Sequence, residues 1–200
     1  MAEQRAILAI LAGGRGERLG GEKAMAPLGG RTLIEYPLDA ARGADLETVV
    51  IAKRSSALPP LAERVLYEPD SPRHPLCGVI TALEFATTRS PAPAVLLLAC
   101  DMPFVTSELL GWLAVLEGTA TAVVGGRSQP LLARCLPAQL PVLREALDAR
   151  RSLRASFAAL APQTVDEHEL AHFGDPERLC FNVNDAEDLA LAESWLRGLS

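Results

Sequence analysis

Five consecutive apolar residues, Ala6-Ile7-Leu8-Ala9-Ile10, run without a break into Leu11-Ala12-Gly13-Gly14-Arg15-Gly16-Glu17-Arg18-Leu19-Gly20-Gly21-Glu22-Lys23, and few folds accommodate both halves of that sequence. A short run that is apolar at every position reads as a strand covered on both faces, as in the parallel sheet of an α/β protein. The five glycines that follow permit positive φ and let backbone N–H groups approach a ligand, while Arg15, Arg18 and Lys23 bring three cations to the same loop. Such a loop beyond the carboxyl end of a first strand suits a polyphosphate; the plainer alternative is a solvated Gly-rich turn with incidental charges.

Two common phosphate loops do not fit these letters. A P-loop places Ser or Thr after its Lys to hold the metal, but Lys23 is followed by Ala24. A dinucleotide fingerprint beginning at Gly14 and Gly16 needs a glycine where Leu19 stands, and an acid closing the second strand, where Thr48-Val49-Val50-Ile51-Ala52 runs into Lys53 and Arg54.

Down the chain, apolar spacing predicts a helix over Thr32–Ala41, with Thr32 as its N-cap and Pro37 as a possible kink. Strands are expected at Thr48–Ala52 and Arg64–Tyr67, the intervening stretch carrying a short Pro-containing helix or loop, so the pairing is parallel. The three prolines between Glu68 and Gly78 imply a loop, followed by a helix from near Val79 to Thr87. The most apolar run, Ala94-Val95-Leu96-Leu97-Leu98-Ala99-Cys100, is a central strand that stops at Asp101-Met102-Pro103-Phe104. Ligands of open α/β sheets gather beyond the carboxyl ends of strands, so Asp101 stands beside the glycine loop if the two strands are neighbours; otherwise it is an ordinary turn residue before proline.

Thr106 caps a helix over Ser107–Leu116. Thr121–Val124, a Gly125-Gly126 turn and Gln129–Cys135 read as an antiparallel pair, then helices at Ala138–Arg150 and Ser152–Leu160 and a short strand at Gln163–Val165. A last strand ends in Asn182-Val183-Asn184, where side-chain alternation puts both carboxamides on one side, and Asp185 caps the closing helix. The alternative for the asparagines is local satisfaction of backbone groups. The fold class is therefore three-layer, Rossmann-like α/β, with a mostly parallel central sheet, helices on both faces and a mixed second half.

A formal net charge of −6 argues against a general nucleic-acid partner. No run approaches a membrane span, and Met1-Ala2-Glu3-Gln4 lacks a signal-peptide layout, so the expectation is a cytoplasmic protein of one domain. Cys77, Cys100, Cys135 and Cys180 are too scattered for a zinc or redox pair and read as reduced core residues. His168 and His172 share one helical face, with no third ligand in view, and read as a solvated pair.

Four further segments join the loop. They are Pro75-Leu76-Cys77-Gly78, Cys100-Asp101-Met102-Pro103-Phe104, Gln129-Pro130-Leu131 and Phe181-Asn182-Val183-Asn184-Asp185-Ala186-Glu187-Asp188-Leu189. Together with Leu-Ala-Gly-Gly-x-Gly-x-Arg-Leu-Gly-Gly-Glu-Lys, they resemble, in order, the motifs of the nucleotidyltransferases related to the molybdenum cofactor guanylyltransferase, the MobA family. That resemblance implies a single nucleotidyltransferase domain over 1–200, with a nucleotide-binding half of about 1–104 and an acceptor-binding half of about 105–200. It implies transfer of GMP from GTP to the terminal phosphate of molybdopterin or its molybdenum-bound form, with Mg²⁺ as cofactor and pyrophosphate as leaving group. Molybdenum-insertion and molybdoenzyme-maturation proteins are the partners that follow.

By the same resemblance Arg18, Lys23 and Asp101 are catalytic and Asp101 holds the metal. Leu11, Ala12, Gly13, Gly14, Gly16, Lys23, Asp70 and Asp101 bind the nucleotide, and Asn182 and Asn184 face the acceptor. Gly13 points to guanine, because cytidylyl relatives more often carry Leu-Ala-Ala-Gly. Glu22 stands for the usual Asp, His74 for the first Gly of Gly-Pro-Leu, and Ala52 or Lys53 where the family often has Asn. Transfer from CTP or to another phosphorylated acceptor is the alternative within the class, and a non-catalytic nucleotide-binding homologue the alternative outside it.

Overall fold

The computed structural model describes residues 6–16, 19 and 21–198. In chain order its strands are β1 (Ile7–Leu11), β2 (Arg15–Gly16), β3 (Gly21–Glu22), β4 (Pro27–Leu28), β5 (Arg31–Thr32), β6 (Thr48–Ala52), β7 (Arg64–Tyr67), β8 (Val95–Ala99), β9 (Ala120–Val124), β10 (Arg127–Cys135) and β11 (Gln163–Val165). The helices are α1 (Glu35–Gly43), α2 (Pro75–Thr87), α3 (Ser107–Ala114), α4 (Leu140–Asp148), α5 (Leu153–Ala158), α6 (Glu167–Leu170), α7 (Pro176–Leu179) and α8 (Ala186–Arg197).

Seven strands form the central sheet in the order β11-β9-β10-β8-β1-β6-β7, and only β10 runs against the others. This is the mostly parallel α/β sheet with a mixed second half expected from the sequence. The uniformly apolar strands lie at its centre: every residue of β8 is buried, as are Ile7 to Ile10 of β1. Side-chain alternation splits the core between two layers. Leu8, Ile10, Leu96 and Leu98 pack with α1 and α3 on one face, and Ile7, Ala9, Val95 and Leu97 with α2 and α4 on the other.

Local chemistry accounts for the elements and for three departures. The two-residue turn between β9 and β10 is Gly125-Gly126, with φ of +58° and +68°, the pair of positive angles that a tight hairpin demands. Pro130 is tolerated inside β10 because the register of that strand slips between Gln129 and Ala133, where no ladder bond is asked of it.

The first departure is Thr32. It belongs to β5 rather than capping α1, and its N–H and hydroxyl both donate to Glu35. Pro37 is the third residue of α1, where backbone N–H groups have no intrahelical acceptor, so it costs the helix no hydrogen bond.

The second departure is α2, which begins at Pro75, four residues before Val79. His74 Nδ1 accepts from the Leu76 N–H, and Pro75 opens the first turn instead of breaking it. The third is the expected strand ending in Asn182 and Asn184. The chain leaves α7 at Leu179 and crosses to α8 without joining any sheet. Asp185 does cap α8, accepting from the N–H groups of Glu187 and Asp188.

All four cysteines are buried thiols outside any disulfide, and burial pushes the Cys135 and Cys180 thiols up to about 12. At pH 8 roughly one such thiol in 10⁴ is ionised, about a thousandfold less than for an ordinary cysteine. Iodoacetamide should therefore leave Cys135 and Cys180 unmodified in the native protein, over a time that labels all four in urea, as read by intact mass. No helix among the described residues is long and apolar enough to cross a membrane.

Candidate active site

The neighbouring parallel strands β1 and β8 deliver the glycine loop and Asp101 to the same edge of the sheet. Cys100 N–H donates to Leu11 O at 3.1 Å, and Ala12 N–H donates to Ile51 O at 2.7 Å, so three strands fix where the loop leaves the sheet. Gly13 is half-buried and Gly14 exposed just beyond. The chain then turns through the small β2–β3 ribbon, in which Gly16 pairs with Gly21, and returns at Lys23, the first residue of a 3₁₀ turn that ends at Met25.

Lys23 and Asp101 meet there. Lys23 Nζ donates to Asp101 Oδ2 at 2.6 Å and to Asn184 Oδ1 at 2.8 Å. The Asp101 side chain is 9% exposed and that of Lys23 18%, so the pair is largely withdrawn from water. Asp101 Oδ1 is buried and, among the described residues, has no hydrogen-bond partner. A buried carboxylate oxygen is rarely left in that state, and a hard divalent cation is the kind of group it fits. Among the described residues no group of three or more His, Cys, Asp or Glu could enclose a metal by itself. A cation at Asp101 would therefore take most of its oxygens from phosphate and water, as Mg²⁺ commonly does.

A second charged pair underlies the loop on the α2 side. Glu68, one residue beyond β7 and 9% exposed, lies with Oε1 3.3 Å from Lys53 Nζ, while Lys53 also donates to Pro69 O at 2.9 Å. Burial raises the Glu68 carboxyl above the usual carboxylate range, against the opposing pull of Lys53. Two glycines make room for it. A Cβ on Gly13 would fall 2.2 Å from Glu68 Oε1, and one on Gly78 of α2 would fall 3.1 Å from Glu68 Oε2.

Sequence reasoning passed over Glu68 for Asp70, which is exposed two residues further on. The signal was available, because Glu68 follows the carboxyl end of a parallel strand just as Asp101 does. Lys53 comes from the end of β6, where the sequence had offered no nucleotide contact.

Of the other sequence candidates, Arg18 lies outside the described residues. The two asparagines part company: Asn184 reaches Lys23, whereas Asn182 Nδ2 turns back to Cys180 O at 2.9 Å. Alternation could not have put both on one side once the segment proved not to be a strand. The segment is nonetheless held at the site, since Val183 N–H donates to the Asp101 carbonyl at 2.9 Å. Phe181 is anchored against Trp195 and Phe104, with ring centroids 4.8 and 6.5 Å away. His168 and His172 stack edge to face at 5.4 Å on the exposed surface of α6 and its exit.

The family model described as "MobA-like NTP transferase domain" matches residues 8–166. A molybdenum cofactor guanylyltransferase from Cereibacter sphaeroides is 35% identical over 194 residues, covering 94% of this chain and 95% of its own. One from Pseudomonas putida is 36% identical over 183 residues, covering 85% and 93%. Among solved structures, molybdopterin-guanine dinucleotide biosynthesis protein A from Archaeoglobus fulgidus has the same fold, with a TM-score of 0.77 at 24% identity over 96% of this chain and 98% of that one. So does 2-C-methyl-D-erythritol 4-phosphate cytidylyltransferase from Thermus thermophilus, with a TM-score of 0.70 at 23% identity over 97% and 100%.

Proposed function

Since this chain belongs to the MobA-like NTP transferase family, and so is a nucleotidyltransferase, we propose that it transfers GMP from GTP to the terminal phosphate of molybdopterin. The observation that carries the reading is the Lys23–Asp101 pair beneath the glycine loop, with one buried carboxylate oxygen that no described residue meets. An acceptor phosphate oxygen forms the new bond to the α-phosphorus as the bond to pyrophosphate breaks, so the protein need supply no nucleophile. Its task is to align two anions and to offset the charge that builds on the leaving group.

In this reading the backbone from Gly13 to Gly16, with Lys23 and Arg18, receives the β- and γ-phosphates, and Leu11, Ala12 and Asp70 line the nucleotide as the family pattern implies. Asp101 Oδ1 holds Mg²⁺, which supplies positive charge to the phosphate oxygens when bound. Glu68 favours guanine. Its carboxylate can accept from both N1–H and the 2-amino group, whereas the pairing edge of cytosine offers one donor group beside two acceptors. Asn182 is the remaining carboxamide for the pterin acceptor.

Pyrophosphate release from GTP, molybdopterin and Mg²⁺ tests the proposal, with CTP and ATP in parallel. GTP should exceed CTP by at least about 100-fold in kcat/KM, the range open to a site built to pair with its ligand's donors. Equal use of CTP would overturn the guanine assignment, and nucleotide binding without pyrophosphate release would indicate a non-catalytic homologue.

A further inference from the structure

We propose that Asn184 is a positioning residue for Lys23, acting on the nucleotide rather than touching the acceptor; the inference rests on the nucleotidyltransferase reading of the site. Lysine is a point charge on a flexible four-carbon stem, and by itself would not present its ammonium in one place. Here two of its three N–H groups are taken, one by Asp101 Oδ2 at 2.6 Å and one by Asn184 Oδ1 at 2.8 Å. Among the described residues no third acceptor meets it, and in this reading the remaining N–H serves a phosphate of the nucleotide.

The carboxamide that receives Lys23 is itself fixed. Asn184 Nδ2 donates to Asn182 O at 2.9 Å, which decides which end of the amide faces the ammonium. Asn184 N–H donates to Asp188 Oδ2 at 2.8 Å in the first turn of α8, and the neighbouring Val183 N–H donates to the Asp101 carbonyl. The chain on both sides of the carboxamide is thus tied, to α8 and to the residue that Lys23 pairs with. The partners of its oxygen and its amide nitrogen, Lys23 and Asn182 O, set the orientation of the carboxamide toward the nucleotide side of the site.

Calorimetric titration of the whole protein with GTP and Mg²⁺, with no acceptor present, separates the two roles. Asn184→Ala should weaken GTP binding by about 3- to 10-fold, the change that one net hydrogen bond supports. Because Asn184 acts through Lys23, the same substitution made in a Lys23→Ala background should weaken it no further. In steady-state assays the loss should fall on both KM for GTP and kcat, with KM for molybdopterin unchanged.

Unchanged GTP binding in Asn184→Ala, or an equal loss in the Lys23→Ala background, would overturn the positioning role. So would a rise in KM for molybdopterin alone. Should the wild-type protein bind no nucleoside triphosphate, the functional reading itself falls and this inference with it. Thermal denaturation of each variant ensures that only folded protein is compared, and Asn184 is exposed enough for the substitution to leave the core intact.

Discussion

Replacing Asp101 with Asn is expected to lower pyrophosphate release by about 10²–10³-fold at saturating Mg²⁺, the usual loss for one electrostatic stabiliser of a charged transition state. Asn has nearly the shape of Asp, so the backbone carbonyl of residue 101 still accepts from Val183 and the chain leaving β8 keeps its course. What is lost is charge. The Oδ1 position, which no described residue meets, no longer attracts a cation, and Lys23 loses the carboxylate that offsets its ammonium. Lys23 keeps part of its side chain in water and can relax outward, so the melting temperature should fall by only a few degrees. A kcat within about threefold of wild type, with an unaltered Mg²⁺ requirement, would remove Asp101 from the chemistry.

The second large effect is expected at Gly13. Its φ lies outside the left-handed region, so Ala at this position is not excluded by the backbone; what excludes it is the Glu68 carboxylate 2.2 Å from the new methyl group. The end of a glutamate can move, and the fold survives, but the carboxylate then leaves the place between Gly13 and Gly78 that two missing side chains created. If Glu68 reads guanine, Gly13→Ala should weaken GTP binding by about 10- to 100-fold, the range for losing hydrogen bonds to a charged group. Glu68→Ala should do the same, and the double variant should be no worse than either single one, because both changes remove one interaction. Additive losses, or unaltered GTP affinity in Gly13→Ala, would show that Glu68 does not contact the base. The same contact gives a physical reason for Gly to accompany an acid at position 68: a methyl group here and a carboxylate there compete for one space.

These two sites also mark how far the sequence could be read. The inner strands of the central sheet were legible because burial on both faces writes itself as an unbroken apolar run, and Asp101 was legible because it ends the most apolar of these. Glu68 follows a four-residue strand at the sheet edge, Arg64–Tyr67, whose end residues are exposed, so the break from apolar to acidic is faint. The start of α2 was hidden because proline is read as an interruption, and only the His74 ring, accepting a backbone N–H, makes it a beginning. Leu179 to Asn184 carries the alternation of a strand, but its polar backbone is claimed by the Asp101 carbonyl and by the ends of two helices rather than by a sheet edge. Alternation reports which side chains are covered and is silent on what covers them.

The seam between Val183 and Asp101 has a consequence for how activity would disappear. Lys23 and Asn184 are 161 residues apart, and they meet only while the stretch ahead of α8 is docked. Local opening of this seam, of the kind that proteins undergo far more often than they unfold as a whole, would leave the seven-stranded sheet standing. It would nonetheless release the carboxamide from the ammonium. A population that still looks folded by its circular dichroism could thus contain silent molecules. Mild heat or dilute denaturant should then extinguish turnover before it melts the sheet, with the stretch ahead of α8 acting as the molecule's fuse.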